Sequence, residues 1–177
     1  MGLFDRFKKK AVSDASARAG SIATEASADV LSAPVSGRVV AISEVPDPIF
    51  SSEVLGKGCT VWPSDDTVYS PVTGSVTVTM GHAAGIAGDN GIEVLVHIGV
   101  DTVDMGGDGF TGFVRQGDRV EAGQPLIRMD RAKIEAAGHP DCVVVAVSNT
   151  AEFAEVALVP EAGSEVSAGA ALLRVSR

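Results

Sequence analysis

Long apolar runs, aromatic side chains, clustered cysteines and histidines are all scarce in this chain of 177 residues. No run approaches the ~20 apolar residues that a membrane-crossing helix needs. Aromatics make up 5% of the residues, too few for an aromatic-rich binding surface. The two cysteines, Cys59 and Cys142, form no CxxC and lie far apart. They read as ordinary reduced thiols in a reducing compartment. The N-terminus has no signal-peptide pattern, because Lys8, Lys9 and Lys10 follow its apolar residues and no apolar core comes after them. Together these absences predict a cytoplasmic protein. Charge is uneven as well. The net charge is −9, and residues 1–10 hold Arg6 and three lysines against Asp5, so the remainder carries −12. An acidic body repels phosphates, which argues against nucleic acid and favours protein partners that are basic at the contact.

What is present is glycine, with 20 residues, and β-branched runs. Three segments follow. Residues 1–11 form an amphipathic tail: Leu3, Phe4, Phe7 and Ala11 share one helical face and the basic residues flank it, a pattern compatible with an anionic membrane surface. Residues 12–31 are rich in Ala and Ser and read as a flexible linker. Residues 32–177 alternate short strands such as "GSVTVTM", "GIEVLVHIGV" and "CVVVAVS" with Gly, Pro or Asp turns. That texture predicts an all-β fold, an antiparallel sandwich or barrel with one or two short helices. Asp130 as N-cap before "RAKIEAA", stopped by Gly138 and Pro140, predicts one of them. Duplication is visible. "APVSGRVVAI" (33–42) matches "SPVTGSVTVT" (70–79). "QGDRVEAGQPLIRM" (116–129) matches "AGSEVSAGAALLRV" (162–175), with Gly117, Val120 and Gly123 equivalent to Gly163, Val166 and Gly169.

Chemistry is concentrated around the few histidines. In "VLVHIGVDTV" (94–103), His97 occupies a strand position where valine would be usual. His82 follows a strand ending near Met80, and "AGDNG" (87–91) supplies a turn between the two. The strands at Met80 and at 92–100 are therefore expected to pair as a hairpin, bringing the imidazoles within cross-strand reach. Asp47 and Asp101 are acidic candidates beside them, and His139 in "AGHPDC" is a weaker one. A core histidine is the plain reading of His97. The histidine pair adds three chemistries: phosphoryl relay, zinc binding through "HIGVD", and acid–base catalysis. Gly99 would let the backbone approach close enough to fix one ring nitrogen as N–H and leave the other as nucleophile. Resident zinc needs about three protein ligands, and no HxH or HExxH is present. His82 and His97 could at most hold an adventitious or interfacial zinc, so no metal is required.

"APVSGRVVAISEVPDPIFSSEVLGKG" (33–58), "VYSPVTGSV" (68–76) and "GIEVLVHIGVDTVDMGGDGF" (91–110) resemble the glucose-type EIIA phosphocarriers of the bacterial phosphoenolpyruvate:sugar phosphotransferase system. The likeness runs from about Ala33 to the end, and "MGLFDRFKKK" is similar to the tail of stand-alone members. The resemblance implies that His97 accepts a phosphoryl group on Nε2 and that His82 hydrogen-bonds it. It implies Asp47 and Asp101 as the acidic rim, and Phe50, Val54 and Leu55 as an apolar collar that docks partners. The donor would be phospho-HPr and the acceptor a cysteine of the EIIB domain of a sugar permease. Regulated permeases or metabolic enzymes are further partners of the unphosphorylated form. The only covalent state is phosphohistidine, no cofactor is implied, and the chain would be a phosphotransferase component rather than a stand-alone enzyme. One position departs from the pattern. Members usually carry a threonine two residues before the second histidine, and here that residue is Met80, so another group has to aim His82. The repeated "GxxVxxGxxL" texture is also similar to biotinyl and lipoyl carriers, but neither Lys57 nor Lys133, the only lysines past residue 10, stands in their hairpin tip. A related zinc endopeptidase lacks its HxH and its export signal here.

Overall fold

A computed structural model describes residues 20–177. The amphipathic tail expected over residues 1–11 lies outside the described residues. The strands are short and almost entirely antiparallel in their pairing, as alternation and frequent glycine turns dictate. In chain order they are β1 (Val30–Ser32), β2 (Gly37–Ala41), β3 (Lys57–Pro63), β4 (Thr67–Tyr69), β5 (Gly74–Met80), β6 (Ala83–Gly88), β7 (Glu93–Ile98), β8 (Phe110–Gly112), β9 (Arg119–Val120), β10 (Pro125–Met129), β11 (Val143–Val147), β12 (Glu155–Leu158), β13 (Glu165–Val166) and β14 (Ala171–Ser176). Eight of them form one sheet in the order β13-β2-β3-β11-β7-β6-β5-β9, and two three-stranded sheets, β1-β14-β12 and β4-β10-β8, complete the fold. Among the described residues there are two short α-helices, α1 (Pro48–Ser51) and α2 (Arg131–Ala136). The Asp130 carboxylate accepts from the Lys133 N–H and caps α2, as its sequence predicts.

The duplication seen in the sequence is repeated bond for bond. Gly37 pairs with Val166 at one edge of the large sheet, and Gly74 with Val120 at the other. Gly163 N–H donates to the Val39 carbonyl and Gly117 N–H to that of Val76. Gly169 N–H donates to Ala33, and Gly123 N–H to Ser70. Each strand of one repeat thus closes on a turn of the other kind of repeat, and the two halves build equivalent ends of the sheet.

The linker expectation is corrected for its second half. Ile22 N–H donates to the Gly123 carbonyl and Glu25 N–H to that of Gly169, at 3.0 and 2.8 Å. The Glu25 carboxylate accepts from the Ala171 N–H, and Val30 to Ser32 form β1 against β14. Residues 22–25 therefore form a strap over the two equivalent repeat turns. Composition missed it because most of these bonds are made by backbone groups, with Glu25 adding one side-chain bond.

Both faces of the large sheet are used. Val94, Val96 and Ile98 point into the main core with Val39, Val61, Ile86, Val143 and Val145. The opposite face carries Leu95 and His97 on β7, flanked by Val144 and Ala146 on β11. A second, smaller core forms there, where Ile42, Val45 and Phe50 cover Val100, Cys142, Val144 and Ala146. This outer face stays only partly covered, and the site lies at the edge of its cover.

Candidate functional site

The hairpin partner of β7 is β6, not the strand that ends at Met80. Residues 83–88 escaped notice as a strand because "AAGIAG" is small and lacks polar alternation. The conclusion drawn from the hairpin survives by another route. Ala83 stands opposite His97, and Ile98 N–H donates to the His82 carbonyl at 2.8 Å. His82, in the turn between β5 and β6, is thereby brought beside His97. The ring centroids are 4.8 Å apart and the rings nearly perpendicular at 80°.

Each predicted residue has a definite place. Phe50 is buried on α1, and its ring lies 4.8 Å from that of His97. Asp47 caps α1 by accepting from the Ile49 N–H at 2.9 Å, and Pro48 follows at the first helical position, where its missing N–H costs nothing. This cap fixes the short helix that carries Phe50 over the imidazole, and the Asp47 charge acts on His97 from the rim. Val54, 73% exposed, and Leu55, 39% exposed, follow α1 as free apolar surface. Asp101 is exposed and holds a left-handed backbone, φ 58°, at the start of the 3-10 turn Thr102–Met105. Gly99 is buried with φ 77°; a Cβ there would meet Thr102 and the Pro140 carbonyl. His139 belongs to the end of α2, where its N–H donates to the Ile134 carbonyl; it makes no ring contact with the pair among the described residues.

Sequence reasoning missed Phe110, whose ring lies 6.3 Å from His82 at 60°. It also missed a rim of exposed apolar side chains: Ile49, Val78, Met80 and Val103. The alternation of β5 supplied a signal for Val78 and Met80. Phe110 opens β8, which pairs with β10 rather than with any strand of the large sheet, so its approach to His82 is a tertiary relation. The question posed by Met80 also has an answer. Met80 pairs with Ala83, which pairs with His97, so this side chain stands on the site's face of the sheet, 55% exposed. His82 is instead held by packing, edge-on to His97 and Phe110 and only 5% exposed. Its backbone is pinned because Gly81 lies against Gly107, where an added Cβ would stand 2.8 Å from the Gly107 Cα.

The electrostatics favour neutral rings. Burial, reinforced by neighbouring His82, pushes the His97 pKa down to about 4 against the smaller upward pulls of Gly99 and Asp47. Burial likewise lowers His82. A neutral imidazole has one nitrogen protonated and one lone pair. His97 Nδ1 is enclosed and completes no hydrogen bond of normal geometry, although the Gly99 backbone lies near enough to pull the ring's pKa upward. The half-buried ring therefore offers Nε2 outward as its open nitrogen. Among the described residues, no group of three or more His, Cys, Asp or Glu could hold a metal. Cys59 and Cys142 are both buried, and burial raises both thiols, Cys142 to about 11, so neither is a reactive thiolate. No helix among the described residues is long and apolar enough to cross a membrane.

Such a pair of neutral, recessed imidazoles under an aromatic cover, ringed by apolar side chains and carboxylates, suits group transfer between docked proteins better than turnover of a small molecule. Comparison with known proteins agrees. The family described as phosphoenolpyruvate-dependent sugar phosphotransferase system, EIIA 1, matches residues 29–153. The β-glucoside-specific EIIBCA component of Bacillus subtilis is 44% identical over 131 residues, 73% of this chain. This chain spans only 22% of that relative, about a fifth of its length, and similar shares of other EIIBCA components. The glucose-specific EIIA component of Oceanobacillus iheyensis is 38% identical over 139 residues, covering 77% of this chain and 83% of the relative. Among solved structures, glucose permease IIA from Mycoplasma capricolum superposes with a TM-score of 0.70 at 30% identity, over 82% of this chain and 93% of the other. The chain belongs to the EIIA 1 family of the phosphoenolpyruvate-dependent sugar phosphotransferase system.

Proposed function

We propose that this phosphocarrier domain takes a phosphoryl group from phospho-HPr onto His97 Nε2 and passes it to a cysteine of an EIIB domain. The observation that carries the assignment is the orientation of His97: Nδ1 is sealed inside and Nε2 is left open, with His82 packed against the same ring. In the first step the Nε2 lone pair attacks the donor's phosphorus. The donor's P–N bond breaks, and its electron pair returns to the donor imidazole. In the second step an EIIB thiolate attacks, the His97 P–N bond breaks, and the pair returns to Nε2. His97 needs no proton removed before attack, because burial already keeps it neutral. His82, edge-on and close, is placed to donate a hydrogen bond to a phosphoryl oxygen.

Docking supplies the rest. Phosphoryl transfer asks the protein mainly for positioning and charge stabilisation. Ile49, Val54, Val78, Met80 and Val103 offer an apolar rim that excludes water when covered, and the acidic body suits a basic partner. The EIIBCA relatives carry an EIIA part together with EIIB and EIIC parts, which favours an EIIB acceptor. The test is to incubate the chain with enzyme I, HPr and phosphoenolpyruvate and measure acid-labile phosphate. His97→Ala should take up none. His82→Ala should still be labelled but pass the group on roughly 100-fold more slowly, the loss expected for one hydrogen-bond donor to a developing charge. A labelled His97→Ala protein refutes the assignment.

A further inference from the structure

Thr102 is a fully buried polar residue that the transfer steps above leave without a task. It lies five residues after His97, just past the glycine turn. Its hydroxyl donates to the Ile98 carbonyl, and its methyl group occupies the space where a Gly99 side chain would stand. Gly99 N–H donates to the Cys142 carbonyl at 2.7 Å. The peptide joining Ile98 to Gly99 is thus held at both ends, its oxygen by Thr102 and its N–H by Cys142, the residue before β11. The next peptide is held more loosely, since Val100 N–H reaches the Pro140 carbonyl at 3.3 Å. That looser peptide carries the Gly99 carbonyl, the acceptor on the His97 Nδ1 side.

This arrangement matters because His97 Nδ1 is the one buried side-chain polar atom without a hydrogen-bond partner among the described residues. For Nε2 to attack with its lone pair, Nδ1 has to carry the neutral ring's proton, and a buried N–H without an acceptor is costly. We propose that Thr102 is a positioning residue: through its bond to Ile98 it sets the Gly99 carbonyl at the distance where it accepts from His97 Nδ1–H. The proton is then kept on Nδ1 and the lone pair on Nε2. The proposal rests on the reading of His97 as phosphoryl acceptor, and Thr102 itself touches neither the phosphoryl group nor the partner.

The test compares Thr102→Val, which keeps the shape and removes the hydroxyl, with Thr102→Ser, which keeps the hydroxyl. The first readout is the ring 15N chemical shifts of His97 in the unphosphorylated protein, which report the tautomer without any phosphoryl chemistry. Wild type and Thr102→Ser should show the Nδ1–H form, and Thr102→Val a substantial Nε2–H population. The second readout is the rate of phosphoryl uptake from phospho-HPr, expected to fall roughly tenfold in Thr102→Val, the loss of about one hydrogen bond, and to recover in Thr102→Ser. An unaltered tautomer and rate in Thr102→Val would overturn the proposal. If Thr102→Val does not fold, the wild-type spectrum still decides: an Nε2–H tautomer there overturns it. A tautomer shift in a chain that takes up no label at His97 would retain the positioning role and remove the phosphoryl assignment.

Discussion

The depressed basicity of His97 gives the most direct quantitative test. Its pKa of about 4 comes first from burial, and Phe50 is the aromatic part of that burial, with its ring 4.8 Å away. At pH 5.5 a ring with this pKa is about 97% neutral, whereas an unperturbed histidine with a pKa of ~6.5 is about 9% neutral. With pre-formed phospho-HPr supplying the group and the donor's own titration divided out, phosphoryl uptake by wild type should therefore stay nearly flat from pH 8 down to 5.5. Phe50→Ala admits water and should raise the pKa by about one unit, equivalent to 1.36 kcal/mol in favour of the charged ring. Because Phe50 also anchors the small core over β11, this variant should lose about 3 kcal/mol of stability. Phe50→Leu, which keeps apolar cover, should shift less in both respects. The assay is NMR titration of the His97 ring in each folded variant. Linkage fixes the sign of the effect on stability. The folded ring holds its proton less tightly than the unfolded one, so its contribution is complete above pH ~6.5 and is lost as pH falls toward 4. A wild-type midpoint near 6.5, or the same midpoint in Phe50→Ala, refutes the claim that burial under this helix tunes the nucleophile.

Three further outcomes are expected. If Asp101 belongs to an acidic rim that repels the phosphoryl group proposed for His97, Asp101→Asn should lengthen the half-life of phospho-His97; an unchanged half-life removes repulsion as the role of Asp101. Gly169→Ala forces a Cβ against the Ala23 carbonyl at a backbone φ of 90°, and should cost ~1–3 kcal/mol. Hydrogen exchange should then accelerate at the Ile22 and Glu25 amides while His97 keeps its titration, and full protection of Glu25 would show that the strap tolerates the substitution. Dialysis against a chelator should leave both phosphoryl uptake and melting temperature unchanged, since the described residues bring together no set of three metal-ligating side chains; a fall in either would establish a structural or catalytic metal.

Much of this protein is local information. Alternation marked β5, β7 and β14, because a period of two follows from strand geometry, and an unbroken β-branched run marked β11, which is buried on both faces. Asp130 announced its helix through a cap that depends on three residues. The repeated glycine motifs announced a duplication, and a lone imidazole in an apolar strand announced the site. The resemblance then named Phe50, Asp47 and His82 for it. What the chain alone left undecided was every relation that joins distant segments. The small residues of β6 gave no period, so the wrong partner was expected for β7, and only the ladder showed Ala83 opposite His97. The strap over Gly123 and Gly169 is made mainly by backbone groups that any sequence possesses, helped by the Glu25 carboxylate. Phe110 reaches His82 from β8 of another sheet, and His82 is aimed by packing and by the Gly81–Gly107 approach. Which nitrogen of His97 faces outward depends on what encloses the other, and it is Nδ1 that the packing buries. Residue type determined that an imidazole was available; the packing of separate segments determined which of its nitrogens is free to react.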